Sequence, residues 1–165
     1  MSLSWMGEYR ESIEKVIRFA NNYSAIQNLE FMGEDIKYSF SQIQVIESLL
    51  ENETKHLKMA EIAKKLEIST SSFTKHVNKL VNKGLLEKYH VKGNKKDVIV
   101  CVTDEGKKLY KSYVDTYAKR VFKDFLKICK GASKKEMETF NALMEAMLKV
   151  YNKGEEVVVL EAIDG

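Results

Sequence analysis

At Gly84 the apolar spacing of this chain changes period, and that change constrains the fold more than any other feature. Upstream, Phe73, Val77, Leu80 and Val81 recur at steps of one, three and four, the spacing that clusters side chains on one face of a helix. Downstream, residues 85–91 and 98–102 read as two strands. Between them Lys92-Gly93-Asn94-Lys95 has the composition of a hairpin turn. A helix that stops at a glycine and hands over at once to a hairpin has few ways to bury its apolar side.

The elements before Gly84 narrow the choice. Ser39-Phe40-Ser41-Gln42 fits a capping box and opens a helix with Ile43, Ile46, Leu49 and Leu50 on one face, ending near Glu51-Asn52. A short helix follows with Met59, Ile62, Ala63 and Leu66, and a tight turn at residues 66–69 leads into the helix capped by Ser69. Two short helices joined by a turn, then a two- or three-stranded β wing, make a winged helix-turn-helix over residues 39–103. Flanking it, Ile13, Val16, Ile17, Ala20, Tyr23 and Ile26 predict a long first helix from about Glu8 to Leu29. Thr103 caps a helix expected to reach about Lys130, and Ser133-Lys134-Lys135-Glu136 opens a last one that Gly154 ends. The expected class is therefore mainly α. Residues 1–38 and 104–153 carry helices outside the winged helix, and residues 154–165 form a loose tail.

Net charge is only +3, but it is unevenly spread. Residues 54–111 hold 14 Lys against 6 Asp and Glu, while the remainder is net negative. Residues 68–86 contain no acid at all, yet carry Lys75, Lys79 and Lys83. A basic block in an acidic frame is the electrostatic footprint of a nucleic-acid binder. On the helix after Ser69, the side opposite Phe73 and Val77 presents Ser71, Lys75, Asn78 and Lys79, with Thr70 and Thr74 at its leading edge. Short hydrogen-bonding and cationic groups suit base edges and phosphates. Thr70, Ser71, Thr74, Lys75 and Asn78 are the base-contact candidates, and Lys79 and Lys83 the backbone contacts. In the wing, Lys92, Asn94, Lys95 and Lys96 are expected against phosphate, on a tip with no acidic brace in its turn.

With those residues in view, residues 39–106 resemble the MarR/SlyA family of bacterial winged-helix regulators. The likeness rests on Ser39, Gln42, Val45 and Ile46, on Glu61-Ile62-Ala63, on Ile68-Ser69 and Ser72-Phe73-Thr74-Lys75, and on Val77, Leu80, Gly84-Leu85, Val100, Val102, Thr103 and Gly106. It implies a homodimer with interwoven flanking helices, double-stranded DNA with a pseudopalindromic operator as partner, repression of transcription, and control by a small aromatic effector. Where the family's wing commonly reads Asp-Arg-Arg, this chain has Asn94, Lys95 and Lys96, so the usual Asp–Arg brace is absent. Lys58 replaces the common Thr or Ser cap, and Glu67 the common turn glycine.

Other residues point elsewhere less sharply. Tyr110, Tyr113 and Tyr117 form a stripe that would line an effector pocket or pack a core. His56, His76 and His90 lack metal-ligand spacing, and Cys101 and Cys129 lack that of a disulfide framework, so neither metal nor cofactor is expected. The chain shows no phosphate loop, nucleophile elbow or paired-carboxylate setting, which argues against an enzyme. No apolar run approaches the roughly 18 residues of a membrane span, and the N-terminal residues lack the pattern of an export signal, so a cytoplasmic location is expected. The alternative reading is a winged helix that docks protein. The acid-free helix and the wing lysines weigh against it, since protein-docking surfaces favour exposed aromatics.

Overall fold

The computed structural model describes residues 4–26, 30–33 and 36–152. The expected end of the first helix at Leu29, the stop at Gly154 and the tail lie outside them. The chain divides into two compact units, Met1–Ala118 and Lys119–Gly165.

The first unit holds helices α1 (Arg10–Ile26), α2 (Phe40–Glu51), α3 (Met59–Lys65), α4 (Thr70–Asn82) and α5 (Asp104–Tyr113). It also holds two antiparallel strand pairs, β1 (Glu30–Gly33) with β2 (Ile36–Ser39), and β3 (Leu86–Val91) with β4 (Asn94–Val102). Its core is built from Ile43 and Ile46 of α2, Ile62 of α3, Phe73, Val77 and Leu80 of α4, Leu85 and Leu86 after it, and Val100 and Val102 of β4. The faces named from sequence for α2, α3 and α4 thus turn inward on one shared core, which is why three such short helices are stable together.

Local signals set the boundaries. Ser39 accepts the Gln42 N–H at 3.3 Å while Gln42 accepts the Ser39 N–H at 3.1 Å, closing the expected box. Gly84 ends α4 at φ +71°, a conformation that disfavours other residues. Thr103 then ties the next element to that stop. Its hydroxyl donates to the Gly84 carbonyl at 2.8 Å and accepts the Gly106 N–H at 3.1 Å, and its own N–H donates to Leu85 at 3.1 Å. Gly106 lets α5 approach this closely: a Cβ there would stand 2.3 Å from the Leu85 carbonyl oxygen and 2.7 Å from Val102 Cγ1. Glu67, in the turn between α3 and α4, sits at φ +53° without a glycine's freedom.

Two differences from the sequence reading concern the flanks. Residues 30–33 and 36–39 pair as the antiparallel strands β1 and β2, with register Phe31↔Tyr38, where the sequence pattern predicts no strand. Their rings explain it. Phe31 stacks on Tyr38 at 5.7 Å and meets Tyr117 edge-on at 4.6 Å, so the hairpin covers an aromatic cluster at the end of α5. The helix expected to run from Thr103 to Lys130 is instead interrupted. A π-turn occupies Val114–Ala118, a single turn α6 Lys119–Val121, and α7 starts afresh at Lys123–Gly131.

The second unit contains α6, α7 and α8 (Lys134–Asn152). Ser133 opens α8 as expected, accepting the Glu136 N–H at 3.3 Å while the Glu136 carboxylate accepts the Ser133 N–H at 2.7 Å. No described residue of α7 or α8 is buried, and Phe125, Leu126, Ile128 and Leu143 are among the exposed apolar side chains.

Candidate nucleic-acid interface

The site is carried by α4. Phe73, Val77 and Leu80 are fully buried, which fixes the rotation of the helix and leaves Thr70, Ser71, Lys75, Asn78 and Lys79 exposed. Ser69 caps it, its Oγ accepting the Ser72 N–H at 3.1 Å. Because no acid lies on the helix, nothing in α4 itself offsets its lysines.

The individual groups are more committed than the sequence suggests. Thr74 is half-buried and its hydroxyl donates to the Thr70 carbonyl at 2.8 Å, so it offers lone pairs outward and no proton. Ser71 Oγ shares a hydrogen bond with Ser69 Oγ at 3.0 Å. Asn78 Oδ1 accepts from Lys88 Nζ of β3 at 2.6 Å, which orients the amide and leaves its NH2 outward. Lys88 was missing from the sequence-based site, since only the docking of β3 beside α4 reveals it. Lys79 has no acidic partner among the described residues. Lys83, expected on phosphate, is exposed and reaches across to β2. Its ammonium donates to the Lys37 carbonyl and lies 3.4 Å from Gln42 Oε1, and burial together with Lys79 lowers its pKa.

In the wing, β3 and β4 meet through a two-residue turn, Lys92-Gly93, with Gly93 at φ +84°; Asn94 and Lys95 already belong to β4. Lys92 and Asn94 are exposed; the side chains of Lys95 and Lys96 lie outside the described residues. The expectation of an unbraced tip is corrected here. Asp97 Oδ2 accepts from Asn94 Nδ2 at 2.8 Å and from Lys58 Nζ at 2.8 Å, and Lys58 also pairs with Ile99 through a backbone bridge. The bridge adds a third edge to the wing. Asp97 raises the Lys58 pKa, first through their hydrogen bond and then through its charge. Lys58 cannot accept at the start of α3, but its N–H donates to Glu61 at 2.7 Å, which caps the helix from the other side.

The tyrosine stripe lies away from this face. Tyr113 is buried among Phe31, Tyr38 and Tyr117, and burial followed by the neighbouring Tyr117 and Glu47 pushes its pKa up to about 12. Tyr110 donates to Glu47 at 2.6 Å, and Tyr117 is half-buried. Cys101 is half-buried, and burial, then Glu53 and Glu87, raises its pKa, which favours the protonated thiol. Burial lowers the pKa of His76 on α4.

A helix-turn-helix whose second helix exposes polar and cationic groups beside a braced hairpin defines the winged-helix class. Residues 35–97 match the family model described as the MarR family. The match covers the helix-turn-helix and the first part of the wing, ending within β4, and leaves out the flanking helices. No curated protein sequence matches the chain. Among solved structures it resembles Streptococcus pneumoniae FabT in complex with DNA, with a TM-score of 0.62, 18 % identity, and coverage of 88 % of this chain and 98 % of that one. It resembles the S. aureus MepR–DNA complex at a TM-score of 0.62 and 19 % identity, covering 91 % of this chain and 99 % of that one. A third is the PcaV transcriptional regulator from Streptomyces coelicolor in complex with its natural ligand, at 0.59 and 16 %, covering 94 % and 100 %. At such identities the likeness establishes the fold alone, a winged helix.

Proposed function

We propose that this protein is a sequence-specific, double-stranded DNA-binding regulator of transcription that acts as a homodimeric repressor in the cytoplasm, and is not an enzyme. The observation that carries this reading is the acid-free outer face of α4, held by its buried face beside a lysine-bearing wing. Thr70, Ser71, Thr74, Lys75 and Asn78 read base edges, Lys79 holds phosphate, and Lys92, Asn94, Lys95 and Lys96 of the wing add backbone contacts. FabT and MepR, both solved on DNA, support the partner.

Exposed apolar surface supports the dimer. Ile128 is 73 % exposed and Leu143 63 %, beside Phe125 and Leu126, which a soluble lone chain avoids. A two-fold pair of copies would match a pseudopalindromic operator with half-sites about one helical turn apart. Control by a small aromatic effector at Tyr110, Tyr113 and Tyr117 is the further part of this reading, and the ligand-bound state of PcaV supports effector control. Selection from random duplexes tests it. A recovered inverted repeat is expected, and recovery of unrelated sequences with equal affinity for all of them would refute it.

A further inference from the structure

We propose that the groove between the β1–β2 hairpin, the start of α2 and the end of α4 binds a small ligand bearing a phosphate dianion. The groove, open to solvent on one side, holds about 500 Å³, within the range of small-molecule sites. Three ammonium groups line it, Lys37 from β2 and Lys79 and Lys83 from α4, against one carboxylate, Glu30 from β1. Glu30 forms an ion pair with Lys37, so these two charges cancel. Lys83 is held only by neutral acceptors, the Lys37 carbonyl and Gln42 Oε1, and keeps its full charge. Lys79 has no acidic partner among the described residues.

The groove therefore carries two uncompensated positive charges. A phosphate monoester supplies about −1.5 to −2 near neutral pH, and lysine recognises it as a compact point charge. A carboxylate supplies one charge and leaves a lysine unmatched. Ile36 and Tyr38 form an apolar wall beside the lysines, which suits an uncharged organic body attached to the phosphate. Burial first, and then Lys79, lowers the Lys83 pKa against the opposing charge of Glu30.

Occupancy would also neutralise Lys79, and so reduce DNA affinity. That consequence rests on the function proposed above, whereas anion binding does not, and the two are measured separately. Phenyl phosphate is titrated into the full chain at fixed ionic strength and at about pH 8, where it is dianionic, following heat and the methyl resonance of Ile36. Saturable binding at about 1 mM or tighter is expected. Lys83→Gln should weaken it about tenfold, as for loss of one charge-assisted contact. Glu30→Gln frees Lys37 and should tighten binding severalfold, a direction that damage to the fold would not produce. Lys64→Gln, on α3 and outside the groove, should leave it unchanged. No saturation by about 10 mM, equal binding of phenol or benzoate, or indifference to both groove substitutions would overturn the proposal. So would an Ile36 response to duplex DNA but not to phenyl phosphate, which would assign the groove to the DNA backbone. If phenyl phosphate binds but DNA affinity is unmoved, the anion site stands and its coupling to DNA binding falls.

Discussion

Gly106→Ala tests the packing that sets the wing against the helices. The added Cβ would stand 2.3 Å from the Leu85 carbonyl oxygen and 2.7 Å from Val102 Cγ1, where ordinary contact begins at 3.4 Å. The first of these is backbone and cannot rotate away, so α5 must retreat by about 1 Å. Overpacking of this kind costs about 1–3 kcal/mol. The retreat also pulls on the Thr103 N–H to Leu85 bond of 3.1 Å, worth about 1 kcal/mol. Alanine's better helix propensity returns about 1 kcal/mol. The net loss is about 1–3 kcal/mol, or a fall of about 3–10 °C in Tm for a chain of this size. Thermal melting by circular dichroism reads it, with Gly131→Ala as control. Gly131 has nothing within 4 Å of its would-be Cβ, so that variant should melt at or slightly above wild type. A Gly106→Ala protein that melts no lower than wild type would refute the close-approach argument.

Asp97→Asn removes the acceptor shared by Asn94 and Lys58, and hydrogen exchange at the wing amides should quicken severalfold while α4 stays protected. Unchanged exchange would show that the brace does not order the wing. Glu67→Gly relieves a side chain held at φ +53° and should raise stability by about 1 kcal/mol, read from urea denaturation; a lower midpoint would contradict it. Burial lowers the folded-state pKa of His76. Its neutral form is favoured on folding, so its contribution is intact above the unfolded pKa of about 6.5 and is lost as pH falls through the lower folded value. His76→Gln should flatten that acid-side decline, and an identical pH profile would sink the assignment.

What was legible in the sequence was local. Ser39, Ser69, Thr103 and Ser133 each bond a group three residues on, so composition and spacing suffice to place four helix starts. The inward face of α4 followed from periodicity alone. What was missed depends on chain segments meeting in space. The β1–β2 hairpin has four-residue strands, too short for a clear alternation, and rests on Phe31 meeting Tyr113 and Tyr117. The break at Val114–Ala118 carries neither glycine nor proline to announce it. Lys88 on Asn78, Lys58 on Asp97 and Lys83 on the Lys37 carbonyl join residues ten or more positions apart, and together they redraw the electrostatics of the site. The family's missing Asp–Arg brace could be read from Asn94 and Lys96, but its replacement by Asp97 and Lys58 could not.

The proposed reading is that the outer face of α4 reads DNA sequence while Lys79 holds the backbone. Competition binding of wild type, Asn78→Ala and Lys79→Ala against a selected operator and a scrambled duplex, across a salt series, tests it most directly. Asn78→Ala should lose about 1–3 kcal/mol on the operator and little on the scrambled duplex. Lys79→Ala should weaken both duplexes alike and flatten the salt slope by about one. Equal losses on both duplexes for Asn78→Ala, with a salt slope unmoved by Lys79→Ala, would contradict the account.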